Sequence, residues 1–188
     1  MTKNIMIVGV GGQGTLLASR ILGNTVINEG YDVKVSEVHG MSQRGGSVVT
    51  YVKYGDKVYS PIIDRGEADI ILAFEKLEAM RALPYLKDGG QMIVNTQEMD
   101  PMPVITGAAA YPENIVEKLS EKAEVKAVDA LSLAKDAGNI KAINVVLIGI
   151  MAKSTDISYE KWVETIKTTV PPKFLEVNLK AFELGYNM

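Results

Sequence analysis

Along this chain, apolar and polar positions alternate in short blocks that switch between strand-like runs and helical stripes. The apolar run within Asn4–Val8 reads as a buried strand. Thr15–Asn28 then carries Leu16, Leu17, Ile21, Leu22 and Val26 at helical spacing, and predicts a helix. Gly23 falls inside that stripe, where glycine costs about 1 kcal/mol relative to alanine, so close packing against a neighbour is expected. Asp32–Ser36 reads as a second strand, and the three elements have the length of a parallel crossover.

The rhythm changes at Glu37–Gly46, which is polar, glycine-rich and aperiodic, and reads as a loop. Ser47–Tyr54 and Lys57–Ser60 read as a hairpin across Gly55-Asp56, a pair suited to a two-residue type II′ turn. Next come a strand over Asp69–Phe74, a helix over Glu75–Leu83 and a strand over Gln91–Asn95 after Asp88-Gly89-Gly90. Residues 100–110, with Pro101 and Pro103, read as irregular. A helix over Glu113–Lys122, a strand over Glu124–Val128 and three or four further helices complete the chain, the last over Phe174–Leu184 after Pro171-Pro172. No repeat period is present.

Alternating strands and helices predict one α/β domain over residues 1–188. The expected fold is Rossmann-like and doubly wound, three-layer α/β/α, with a mainly parallel sheet and an antiparallel hairpin. The all-apolar Ile70-Ile71-Leu72-Ala73 belongs at the sheet centre, covered on both faces.

Composition removes several function classes. A net charge of −3 over 188 residues, without a Lys/Arg-rich run, offers no basic field for nucleic acid. The longest unbroken apolar run, Val145 to Ala152, is too short to span a bilayer. The N-terminus enters a strand without a leader pattern, so a cytoplasmic location is expected. There is no cysteine, hence no disulfide, thiolate nucleophile or cysteine-held cluster. With a single histidine, a zinc site would have to lean on carboxylates, and no H-E-x-x-H-like spacing is present.

Two segments carry candidate chemistry. Gly9-Val10-Gly11-Gly12-Gln13-Gly14 reads as G-x-G-x-x-G on the first strand-to-helix turn. In a dinucleotide site Gly9 would permit the tight turn, Gly11 would let backbone approach a phosphate, and Gly14 would let the helix pack on the sheet. Glu37, about 20 residues on, stands where such enzymes keep a ribose-binding acid. The same glycines would also serve as plain steric relief in any such turn. The second segment runs from Glu37 through His39, Ser42, Gln43 and Arg44 to Gly45-Gly46. A loop at the carboxyl end of a strand belongs to the crevice of such sheets, and Arg44 followed by two glycines could hold a phosphate or carboxylate. For His39 alone a structural role outweighs a catalytic one, since no Ser or Cys partner is evident. Glu75, Glu78 and Arg81 read as a solvated helix face, the methionines as filler, and Tyr159 and Trp162 as packing.

Together, GVGGQG and EVHGMSQRGG resemble the gamma-type components of the 2-oxoacid:ferredoxin oxidoreductases, in particular the indolepyruvate-type branch. The resemblance extends through Gly138-Asn139 and the Asn144–Gly149 region, and HGMSQRGG is its most specific part. It implies a small subunit that binds no cofactor by itself. Thiamine diphosphate and [4Fe–4S] clusters would then sit on a large catalytic partner, with coenzyme A as co-substrate and ferredoxin as acceptor. The substrate implied is an aryl-2-oxoacid such as indolepyruvate. On that resemblance the glycine turn serves a subunit interface or a phosphate-bearing ligand shared with the partner. Two other readings stand beside it: a self-sufficient oxidoreductase using NAD or FAD, and a pure binding or scaffolding module.

Overall fold

The computed structural model describes residues 2–40 and 45–188. Its sheet has six strands: β1 (Lys3–Val10), β2 (Asp32–His39), β3 (Ser47–Gly55), β4 (Ala68–Ala73), β5 (Leu86–Asn95) and β6 (Glu124–Val128). They lie in the order β2-β3-β1-β4-β5-β6. Pairing is parallel from β1 through β4 and β5 to β6, and antiparallel between β1 and β3 and between β3 and β2. The α/β architecture with a mainly parallel sheet is as expected from the pattern.

Side-chain alternation builds one core on each face of the sheet. Ile5, Ile7, Ile70, Leu72 and Ile93 face α1 (Thr15–Asn28), α5 (Ala130–Ala137), α6 (Ile143–Ala152), α7 (Tyr159–Thr169) and α8 (Leu175–Tyr186). Met6, Val8, Ile71, Ala73, Met92 and Val94 face α2 (Lys76–Ala82) and α4 (Ile115–Ser120). Strand β4 sits between β1 and β5 and feeds both cores, which is why it has no polar face. Trp162 stacks on Phe182, and Tyr159 meets both Phe182 and Tyr186, as packing residues should.

Three local expectations are corrected. The antiparallel hairpin joins β3 to β2, from Asp32↔Gly55 to His39↔Val48, and residues 57–60 form no strand. The reason is that β1 and β2 occupy both edges of β3, so no edge is left for a third strand. The Val58 N–H donates instead to Asp32 Oδ2 at 2.9 Å. Second, β2 continues past Ser36, so Glu37 and His39 are strand residues opposite Thr50 and Val48. Third, β5 begins at Leu86, and Asp88-Gly89-Gly90 lies in a register shift where Ala68↔Leu86 gives way to Ile70↔Gln91. The irregular segment expected over 100–110 contains one short helix, α3 (Met102–Ile105).

Gly23 is buried, but an added Cβ there would meet only Val35 Cγ2, at 3.9 Å, so the expected close approach lies elsewhere. It occurs where α6 crosses α8. A Cβ on Gly149 would fall 2.3 Å from the Phe182 carbonyl oxygen, and one on Gly185 would fall 2.1 Å from that of Val146. Among the described residues no helix is long and apolar enough to cross a membrane.

Candidate functional site

The glycine turn lies at the carboxyl end of β1, and Gly9, Gly11 and Gly14 are each fitted to other parts of this chain. A Cβ on Gly9 would lie 2.9 Å from Phe74 Cβ, at the end of β4. Gly11 is engaged on both sides: its N–H donates to the Gly46 carbonyl at 2.8 Å, and its carbonyl accepts from the Gly45 N–H at 3.3 Å. Gly12 and Gly14 have left-handed backbones, with φ of 102° and 87°, which β-carbon-bearing residues adopt only with strain. A Cβ on Gly14 would also lie 2.7 Å from Asn144 Nδ2, which donates to the Gly14 carbonyl at 3.3 Å. The structure thus brings the two glycine-rich segments into direct backbone contact.

Gln13 locks the turn onto the sheet. Its Oε1 accepts from the Val10 N–H at 2.7 Å, and its Nε2 donates to the Phe74 carbonyl at 3.1 Å and to Gln97 Oε1 at 3.4 Å. Asn95, fully buried at the end of β5, extends this network. It donates to the same Phe74 carbonyl at 3.0 Å and accepts from the Ala130 N–H at 3.2 Å.

These contacts bear on the dinucleotide reading. Gly11 is the glycine whose bare backbone would approach a pyrophosphate, yet both its polar groups are taken by the Gly45-Gly46 segment. Strand β3 also separates β1 from β2, moving Glu37 out by one strand spacing, about 4.8 Å. Glu37 accepts from Thr50 Oγ1 at 3.3 Å, and His39 Nδ1 lies 3.8 Å from Glu37 Oε1. Both side chains border an open cavity of about 400 Å³ with Gly11, Gly12, Gly14, Thr15, Leu16 and Val48. Ser42, Gln43 and Arg44 lie outside the described residues.

A second cleft, of about 540 Å³, opens on the other side of the turn, where Gly11–Gly14 meet Gln97, Met99, Ile140, Lys141 and Ile143. Sequence reading missed this wall, because it comes from the ends of β5 and α5, far from either glycine motif. It also misplaced Glu75 and Glu78, which are only 1% and 4% exposed; a solvated face is wrong for both, and only Arg81 is exposed. Glu75 caps α2 by accepting from the Glu78 N–H at 3.0 Å, and it also accepts from the Met99 N–H at 3.1 Å and from the Tyr111 hydroxyl. Glu78 accepts from Ser47 Oγ at 2.5 Å and pairs with Arg81. The available signal was position: a carboxylate directly after an all-apolar central strand stands at the crevice end of the sheet. Burial, and then the hydrogen bond and charge of Glu75, push the Tyr111 hydroxyl pKa far above its ordinary value. Among the described residues no three His, Asp or Glu side chains converge as metal ligands would.

Comparison with known proteins places this geometry. Residues 4–188 match the family model for pyruvate ferredoxin/flavodoxin oxidoreductase. The chain is 46% identical to indolepyruvate oxidoreductase subunit IorB of Thermococcus kodakarensis, over 97% of this chain and 93% of that relative. It is 30% identical to the pyruvate/ketoisovalerate oxidoreductases common subunit gamma of the same organism, over 95% and 92% respectively. A solved keto/oxoacid ferredoxin oxidoreductase gamma subunit from Geobacter sulfurreducens superposes with a TM-score of 0.73 at 26% identity, covering 98% of this chain and 96% of that one. The chain belongs to the pyruvate ferredoxin/flavodoxin oxidoreductase family, as a small subunit of a 2-oxoacid:ferredoxin oxidoreductase complex.

Proposed function

We propose that this chain completes an indolepyruvate-type complex. Such a complex would oxidatively decarboxylate an aryl-2-oxoacid to its acyl-coenzyme A, release carbon dioxide and pass two electrons to ferredoxin in the cytoplasm. The observation that carries the substrate class is the contrast in identity, 46% to an indolepyruvate subunit against 30% to a pyruvate/ketoisovalerate one. Thiamine diphosphate and [4Fe–4S] clusters are assigned to the large subunit. This chain has no cysteine to ligate a cluster, and its Asp88-Gly89-Gly90 sits in the shifted start of β5 rather than in a diphosphate-binding loop. No bond-making step is therefore assigned to its residues.

The contribution of this chain is the crevice around the glycine turn. There Gly9, Gly11, Gly12, Gln13 and Gly14, with Glu37, His39, Gly45 and Gly46, present a shaped surface at the carboxyl end of the sheet. Ser42, Gln43 and Arg44, which lie between His39 and Gly45 in the sequence, are assigned to the same role. This surface meets the large subunit, or a phosphate-bearing ligand held between the two. The test is reconstitution with the large subunit, thiamine diphosphate and coenzyme A, followed by dye reduction. The mixture should turn over indolepyruvate at least tenfold faster than pyruvate, and the lone chain should turn over neither. Activity of the lone chain, or a preference for pyruvate, would overturn the proposal.

A further inference from the structure

We propose that Glu75 and Glu78 are positioning residues, which hold the two loops flanking the glycine turn in the arrangement the assembled complex uses; this rests on the crevice reading above. Both carboxylates belong to the N-terminal end of α2; Glu78 reaches the first residue of β3, just after Gly45-Gly46, and Glu75 reaches the 99–111 segment. Glu78 accepts from Ser47 Oγ at 2.5 Å, one residue beyond Gly46, whose carbonyl holds the Gly11 N–H. Glu75 Oε1 accepts from the Met99 N–H at 3.1 Å and from the Tyr111 hydroxyl, so it grips both ends of the 99–111 segment. That segment begins at the wall of the second cleft, where Gln97 meets Gln13.

The two groups are nearly inaccessible, and a carboxylate taken out of water persists only where donors replace its hydration. Helix α2 does not itself require them. A serine or aspartate could cap it as well, whereas an apolar side chain at 75 would leave the Met99 N–H and the Tyr111 hydroxyl without their acceptor. What these carboxylates add is a side-chain connection from α2 to the start of β3 and to the 99–111 segment, the second of which the sheet hydrogen bonds do not hold. Glutamine cannot reproduce Glu75. Each oxygen receives a backbone N–H, from Met99 on Oε1 and from Glu78 on Oε2, so either orientation of an amide sets NH2 against a donor.

The experiment combines amide hydrogen exchange on the full chain with binding to the large subunit and turnover. In Glu75→Gln, exchange over 97–111 should rise at least tenfold while the amides of β1, β4 and β5 stay at parental rates. Affinity for the large subunit should fall at least tenfold, with kcat at saturating large subunit within twofold of the parent. Tyr111→Phe keeps both backbone donors and should give a smaller change in the same segment. Ser47→Ala should loosen 45–47 alone, and it tests the second arm even if Glu75→Gln does not fold. Unchanged exchange over 97–111, or a uniform rise that includes the core strands, would overturn the proposal. Local loosening with parental affinity would overturn the crevice reading, leaving both residues as loop clamps only.

Discussion

Replacing Gly14 by alanine separates two costs that the turn imposes. The first is backbone strain at φ 87°, about 1–2 kcal/mol for a residue with a β-carbon. The second is the contact with Asn144, whose Nδ2 would lie 2.7 Å from the new Cβ. That amide must rotate away, losing its bond to the Gly14 carbonyl, a further loss of about 1 kcal/mol. Gly14→Ala should therefore cost about 2–3 kcal/mol in all. Gly12→Ala has comparable strain at φ 102° but open space within 4 Å, and should cost only the first part. Urea unfolding followed by circular dichroism gives both values, and a double-mutant cycle with Asn144→Ala isolates the contact. In the Asn144→Ala background the cost of Gly14→Ala should drop by about 1 kcal/mol. Equal costs at positions 12 and 14, or additivity with Asn144→Ala, would refute the fitted turn.

The crossing of α6 and α8 sets a harsher limit. Gly149→Ala and Gly185→Ala drive a Cβ into backbone on the partner helix, so each should cost at least about 3 kcal/mol or abolish folding in thermal melts, the scale of severe overpacking. Gly23→Ala, which has room against Val35, should be stabilising by up to about 1 kcal/mol through helix propensity; a loss of stability there would contradict the packing described. Burial pushes the Tyr54 hydroxyl up to about 12, above its unfolded value near 10, so its contribution to stability is fully present below pH 10 and is lost as pH rises towards 12. Ultraviolet titration of the native chain should show Tyr54, isolated by comparison with Tyr54→Phe, ionising only around unfolding near that pH; titration near 10 in the folded state would be the contrary result.

Much of the fold was legible because burial imposes periodicity. Thr15–Asn28 and Glu124–Val128 have the boundaries that the apolar spacing predicts, and the wholly apolar Ile70–Ala73 occupies the sheet centre. The hairpin partner was not legible, since strand pairing depends on which edges remain free once β1 and β2 flank β3. The meeting of the two glycine segments followed from their places at strand ends. The second wall of the crevice did not, because Gln97, Ile140 and Ile143 reach it only through the tertiary packing of β5, α5 and α6. Burial of Glu75 and Glu78 escaped notice for a related reason. Helical spacing says which residues share a face, but a loop crossing that face decides whether the face is wet.

The central claim is that the G-x-G-x-x-G turn is built to join this chain's own loops rather than to seat a dinucleotide. Calorimetric titration of the purified chain with NADH and with FAD tests it directly. The Gly11 amide and carbonyl are already paired, so no saturable binding is expected up to about 1 mM, weaker than about −4 kcal/mol. Stoichiometric binding in the low micromolar range, near −8 kcal/mol, would contradict the account and make the turn a dinucleotide site.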